Sequence, residues 1–427
     1  MTAKGRLGVR GFFVGELSSQ LGRELTWFAI AVTFFRETGS VTRYALLTMC
    51  SELPIALFAS WGGALVDRFG ARPVLQLCNV VGGALSVLLA MAFASHRASP
   101  EMLYVAATIL ALNKASRAPA TVASLVGLVG SGSFRRTHGA YSMGQGLTIV
   151  IVPLLGSKLI AATSPAFALS CDVVTYAVSA AILMFVRFGH RSEEAATSRR
   201  SLAQGLKAFA WLRQREGLLS ALLLFSTISV LQGFVMVLVQ PFALRRGDLA
   251  FLGILQTAAG VGYMAGSVLV AVGLAPKRNV VGLFVASLVL SVALGVTGTS
   301  SSRFLLACGA FVITMTFPFS LSCMQALFQS QAPPEVRGRA AALPVIVGTA
   351  CGVLAYVMAG PLVDRVFEPP ADHAVPWLAS LVGVGPGRGI GFLFAALGVI
   401  ALVVTSAFMT RRSLWRLESS PSLAPSS

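Results

Sequence analysis

The sequence predicts an all-α membrane protein, with twelve transmembrane helices in two pseudo-symmetric six-helix bundles. Three observations predict it. The 427 residues are 56% hydrophobic and only 11% charged, with a mean hydropathy of +0.79; a soluble domain of this size carries about twice that charge. Twelve apolar runs are each long enough to cross a bilayer as a helix, which takes about 20 residues. One long polar interruption, His190 to Gly217, divides these runs six and six.

The runs fall at 11–35, 42–66, 73–95, 101–127, 137–162, 166–188, 217–244, 249–275, 279–299, 303–329, 339–363 and 389–410. Gly and Ala crowd them, as at close helix contacts in bilayers. The first run follows a basic start and ends at Arg36–Glu37 with no small-residue cleavage site, so it reads as a retained helix. With the N-terminus in the cytoplasm, 21 Lys and Arg fall on that side and 9 on the other, a bias that orients both termini inward. The chain thus divides into an N-terminal bundle (1–189), a cytoplasmic linker (190–216), a C-terminal bundle (217–412) and an unstructured cytoplasmic tail (413–427). Within the linker, Leu202, Leu206, Phe209, Ala210 and Leu212 share one helical face, which suggests a surface helix. A weak repeat links Arg135–Arg136 before the fifth run with Arg337 and Arg339 before the eleventh. The outward loop from Asp364 to Gly389 is rich in Pro and Gly.

The formal charge of +17 does not indicate nucleic acid, because the basic residues sit at the ends of apolar runs. Six cysteines (Cys50, Cys78, Cys171, Cys308, Cys323, Cys351) lie inside the runs with no CxxC pair and read as buried free thiols. The four histidines are scattered at run ends, and no Ser/His/Asp or metal cluster appears. Neither enzyme chemistry nor a cofactor is expected.

Between the second and third runs lies Gly63-Ala-Leu-Val-Asp-Arg-Phe-Gly-Ala-Arg-Pro73. It resembles the loop between helices 2 and 3 of the major facilitator superfamily, a Gly-x-x-x-Asp-Arg-x-Gly-Arg-Arg pattern. Gly63, Asp67, Arg68, Gly70 and Arg72 match, and Ala71 stands where the family has its first basic residue. The resemblance implies the family's two-bundle fold, with this loop as a conformational latch whose Asp meets a helix N-terminus. A carboxylate there is stabilised by roughly 0.3–1 kcal/mol.

Charged side chains within a span are costly and face partners or water. The first run carries Glu16, Gln20, Arg23, Glu24 and Trp27 within an arc of about 100°. The fourth carries Asn113, Lys114, Arg117 and Thr121 within a similar arc. Antiparallel crossing puts Glu24 at the depth of Lys114 and Arg117, with Glu52 of the second run nearby. In the superfamily these helices line a central cavity, and Arg117 resembles the family's helix 4 arginine. The expected proton-coupling group is Glu24 beside Arg117 or Lys114, weighed against a static ion pair. Glu16 is read as closer to the cytoplasm.

Asp172, in Cys171-Asp-Val-Val-Thr-Tyr-Ala-Val-Ser-Ala180, resembles a motif of the branch that holds enterobactin-type siderophore exporters and macrolide efflux proteins. Gly15-Glu-Leu-Ser-Ser-Gln-Leu-Gly22 fits it too. Asp172 is read as structural before functional. Pro153 and Gly156 match part of the drug antiporters' helix 5 signature, whereas Val152 and Ser157 depart from it. The second half offers Ser229, Gln232, Gln240, Gln256, Ser322 and Gln325 with Phe234, Phe317 and Phe319, which suits an amphipathic solute.

The resemblance implies a monomeric exporter of a small amphipathic compound, exchanged for protons, in a bacterial inner membrane. Import or facilitated passage of a nutrient on the same fold is the alternative, and a non-transporting sensor a remote one.

Overall fold

The computed structural model describes residues 3–186, 212, 215–247, 249–273, 278–332, 343–367 and 387–417, without the side chains of 3–7 and 130–136. Most of the linker and of the outward loop lies outside these residues, as do the linker's expected surface-helix positions other than Leu212, which is buried. The described residues are helical throughout: α1 Ala3–Thr38, α2 Val41–Phe69, α3 Ala71–Ala94, α4 Pro100–Ala162 and α5 Pro165–Phe185, then α6 Glu216–Arg246, α7 Leu249–Ala271, α8 Asn279–Thr299, α9 Arg303–Gln331, α10 Leu343–Leu362, α11 Arg388–Met409 and α12 Arg412–Arg416. A π-helical turn, Val363–Phe367, continues α10.

Local chemistry sets the helix starts. Ser40, Ser99 and Ser164 stand at N-caps, each accepting a backbone N–H three residues on (3.3 Å). Pro100 and Pro165 follow two of them at the first helical position, where a missing N–H costs nothing. Between α2 and α3 the chain turns on Gly70 at φ 87°, ψ 158°, a region essentially closed to side chains.

Ten spans among the described residues are long and apolar enough to cross a membrane. The two remaining expected runs, 11–35 and 101–127, carry the polar stripes. The fourth and fifth runs, expected as separate helices, are joined without a break in α-helical hydrogen bonding as α4. It bends back on itself. Thr121 donates to Glu16 (3.2 Å) while Gln20, one turn along α1, donates to Thr148 (3.0 Å). A straight helix would hold Thr121 and Thr148 about 40 Å apart, so α4 has two arms that both lie on α1.

The chain forms two compact units: Met1–Thr197 with Gly247–Thr257, and Ser198–Arg246 with Ala258–Ser427. In unit 1, α1 packs on α4 and α5, α2 on α4, and α3 on α5 and α4. In unit 2, α6 packs on α10, and α8 on α9 and α11. The pairs match in order: α3 on α5 with α8 on α11, and α1 on the second arm of α4 with α6 on α10. The repeat is clearer in packing than in sequence. Outward faces are apolar; Trp61 is 69% exposed on α2, a position suited to hydrocarbon. All six cysteines are free, but only Cys78 and Cys323 are buried as expected; Cys50, Cys171 and Cys351 are half-buried and Cys308 is exposed. The tail expected from residue 413 starts as helix α12, with Leu414 buried.

Candidate functional site

Unit 1 gathers most of the predicted polar residues. Glu16 and Arg117 are both buried, and they form a bidentate pair: Arg117 Nη2 to Glu16 Oε1 at 2.7 Å and Nε to Oε2 at 3.1 Å. Arg117 also donates from Nη1 to Asn79 Oδ1 (2.8 Å) and from Nη2 to Ser179 Oγ (3.4 Å). Thr121 gives Glu16 a further donor (3.2 Å). One guanidinium thereby joins α1, α3, α4 and α5, and its planar fork suits the carboxylate on one edge and neutral acceptors on the other.

This corrects the expected partnership: Arg117 pairs with Glu16, not Glu24. The reason is register between the helices: α1 is helical from Ala3, so Glu16 lies well inside it and comes level with Arg117 and Thr121 of α4. Asn113 is likewise turned away from open space, donating to Cys78 O (2.7 Å).

Beside this pair lies a cavity of about 330 Å³, lined from α1 by Gln20, Arg23, Glu24 and Trp27, from α2 by Ser51 and Glu52, and from α4 by Lys114, Arg117, Thr121, His138, Tyr141 and Gln145 among others. Glu24 and Glu52 are the two acids in this lining, and Lys114 lines the same space. Neither acid makes an ion pair within 4 Å among the described residues. Arg23 donates to Ser19 (2.7 Å). The arrangement therefore holds one locked charge pair and, beside it, acids and bases that share a partly aromatic cavity.

Asp172 lies elsewhere, fully buried between α1, α3 and α5. It accepts from Thr26 (2.7 Å), Ser86 (2.8 Å) and Thr175 (3.1 Å). Asp67 and Arg68, expected in a loop, lie in the last turn of α2 and are exposed; Arg68 stands over the Phe69 ring at 5.2 Å. Arg72 donates to Met184 O, near the C-terminus of α5 (2.8 Å). Among the described residues Asp67 has no hydrogen-bond or ion-pair partner. Gly63 borders open space, whereas a Cβ on its neighbour Gly62 would strike Ala115 O and Ser116 of α4. The close approach belongs to Gly62.

Of the polar residues expected around a cavity in the second half, Ser229, Gln232 and Gln240 are buried, whereas Gln256, Ser322 and Gln325 are half-buried. Gln232 donates to Ile313 O (2.8 Å) and Thr316 Oγ1 (2.7 Å), tying α6 to α9. The sequence reading missed Asn79, Ser86 and Ser179. The signal was present: Gln76, Asn79 and Ser86 recur on one face of α3, and Asp172, Tyr176 and Ser179 on the facing side of α5.

Residues 12–356 match the family model of the Major Facilitator Superfamily. Macrolide efflux protein A of Streptococcus pyogenes is 21% identical over 367 residues, 83% of this chain and 89% of that protein. The fold is shared with solved transporters. A bacterial homologue of the human lysosomal transporter Spinster, inward-facing and unoccupied, superposes with a TM-score of 0.67 at 14% identity, covering 99% of this chain and 100% of that one. The nucleoside transporter NupG gives 0.68 at 13% (94% and 99%). The xylose transporter XylE from E. coli, inward open, gives 0.61 at 13% (96% and 98%). With the family match running through most of both helical units, the chain belongs to the Major Facilitator Superfamily, a family of multi-pass membrane transporters.

Proposed function

We propose that this transporter exports a small amphipathic compound, such as a macrolide-like drug, a siderophore or another secondary metabolite, in exchange for protons. The observation that carries the reading is the unit 1 cavity, where Glu24 and Glu52 stand without close ion pairs beside Lys114. Such carboxylates change proton affinity when water access to them changes, since burial favours the neutral acid and a nearby cation the ion. Alternating access of two repeated bundles supplies that change. Glu24 is the primary coupling group, and Glu52 and Lys114 tune it. The locked Glu16–Arg117 pair holds the walls, Asn113 and Asp172 brace the bundle, and Gly63, Asp67, Arg68, Gly70 and Arg72 form the latch. Trp27 and Tyr141 suit the apolar body of the solute. Homology to a macrolide efflux protein supports outward transport. The protein works as a monomer in a bacterial inner membrane, with both termini cytoplasmic.

The test is transport in proteoliposomes of known orientation with an imposed pH gradient. A macrolide and other amphipathic compounds should move against their gradient when protons move the opposite way. Glu24→Gln should insert normally and abolish the dependence on pH. Solute movement in the same direction as protons would replace export with import. Movement that ignores the gradient in the wild type would remove proton coupling altogether.

A further inference from the structure

We infer that the end of unit 2 formed by α12 and the last turn of α11 is a docking site for anionic phospholipid headgroups. α11 ends at Met409, and the chain enters α12 almost at once. Arg411, Arg412 and Arg416 place three guanidinium groups within six residues, and Glu418 is the one acid in the stretch from 411 to 418. All three are exposed, as is Trp415.

A five-residue helix does not hold itself in place; here its surroundings do. Leu414 is buried in a cluster with Leu218, Phe284 and Phe328. The Trp415 indole stacks on Phe284, centroids 5.3 Å apart and planes 19° apart, and its Nε1–H donates to Met409 O (2.9 Å). Gln331 donates to Leu417 O (3.1 Å). At the start of α6, Gly217 allows the approach, since a Cβ there would run into Ser413 O. Arg411 is steadied over the Phe408 ring at 5.1 Å. Exposed Arg278 precedes α8 at the same end of the bundle.

The result is a rigid basic platform at the level where the apolar spans stop. Indoles favour that level of a bilayer, and arginine matches phosphate oxygens with a two-pronged donor set. Charge complementarity and depth commit the site to a lipid. A soluble anion would have no use for an aromatic anchor at the edge of the hydrocarbon. The positions of Leu414 and Trp415 fix the site to the bundle that must move during transport, so the bound lipid bears on that bundle directly.

The experiment is native mass spectrometry of the purified full chain in detergent, titrated with phosphatidylglycerol or phosphatidylcholine. Wild type should retain phosphatidylglycerol in preference. Replacing Arg411, Arg412 and Arg416 together by Gln should weaken the tightest phosphatidylglycerol binding on the order of 100-fold, and R412Q/R416Q roughly 30-fold, since each arginine near an anionic surface contributes about fivefold. The double variant leaves the Arg411–Phe408 contact intact and is read alone if the triple variant does not fold; an unchanged lipid-free melting temperature certifies its fold. Equal retention of both lipids by wild type, or wild-type phosphatidylglycerol binding by the folded double variant, overturns the site.

Discussion

Arg117 is buried, so its worth depends on what faces it. Bringing a guanidinium out of water costs several kcal/mol, and the Glu16 carboxylate with Asn79 and Ser179 offsets that cost. Removing one partner leaves the other charge uncompensated. Glu16→Gln should therefore lower stability by about 3–5 kcal/mol, seen as a fall in the detergent melting temperature. Glu16→Gln with Arg117→Met should recover much of that loss. If the single variant melts like wild type, the pair does not carry the bundle's polar core. Glu24→Gln, at a half-buried position on the cavity wall, should leave the melting temperature nearly unchanged while altering the pH dependence of transport. Both residues were legible in the sequence as a polar stripe on the first run. Their different roles were not, because the register of α1 against α4 is set by packing between the two helices and not by the stripe on either one.

Helix boundaries and close contacts belong to the next scale. The latch motif drew attention to Gly63, yet the contact with α4 is made by Gly62. Gly62→Val should cost about 1–3 kcal/mol through overpacking against Ala115 and Ser116. Gly63→Ala should be nearly neutral in stability, because nothing lies within 4 Å of a Cβ there. Comparing the melting curves of these two adjacent variants separates a packing role from a motif role. Equal losses would show that Gly63 also needs its missing side chain. Pattern reading finds a glycine but not its direction. Direction depends on helix rotation, which the partner helix sets. The same limit explains Asn79 and Ser179: each is a modest polar residue on an apolar helix, given meaning by Arg117 arriving from α4. By contrast, α2, α4 and α5 start within one residue of the apolar runs read in the sequence, where serine caps, two of them followed by proline, act locally.

Across the whole molecule, two properties follow from the order of the spans. Hydrophobic length placed ten of the spans among the described residues, because a bilayer imposes one length on every helix that crosses it. The reversal within α4 was legible from Arg135 and Arg136, a basic pair between two apolar runs, even though the backbone there is assigned as helix. It makes a prediction about sidedness. With the N-terminus inside, the bend near residues 130–136 faces the cytoplasm, and the turn at His96–Arg97 faces outward. A cysteine introduced at Ser133 in a variant lacking the native cysteines should react with an impermeant maleimide only after the membrane is opened. One at Ala98 should react in intact cells. The opposite pattern would invert the whole chain, since α4 carries two spans and fixes the parity of every later one. It would also move the Arg68–Arg72 loop to the outer face, where the excess of arginine and lysine opposes its insertion. A positive-inside bias of 21 to 9 is what the labelling pattern must reproduce if basic residues set the orientation.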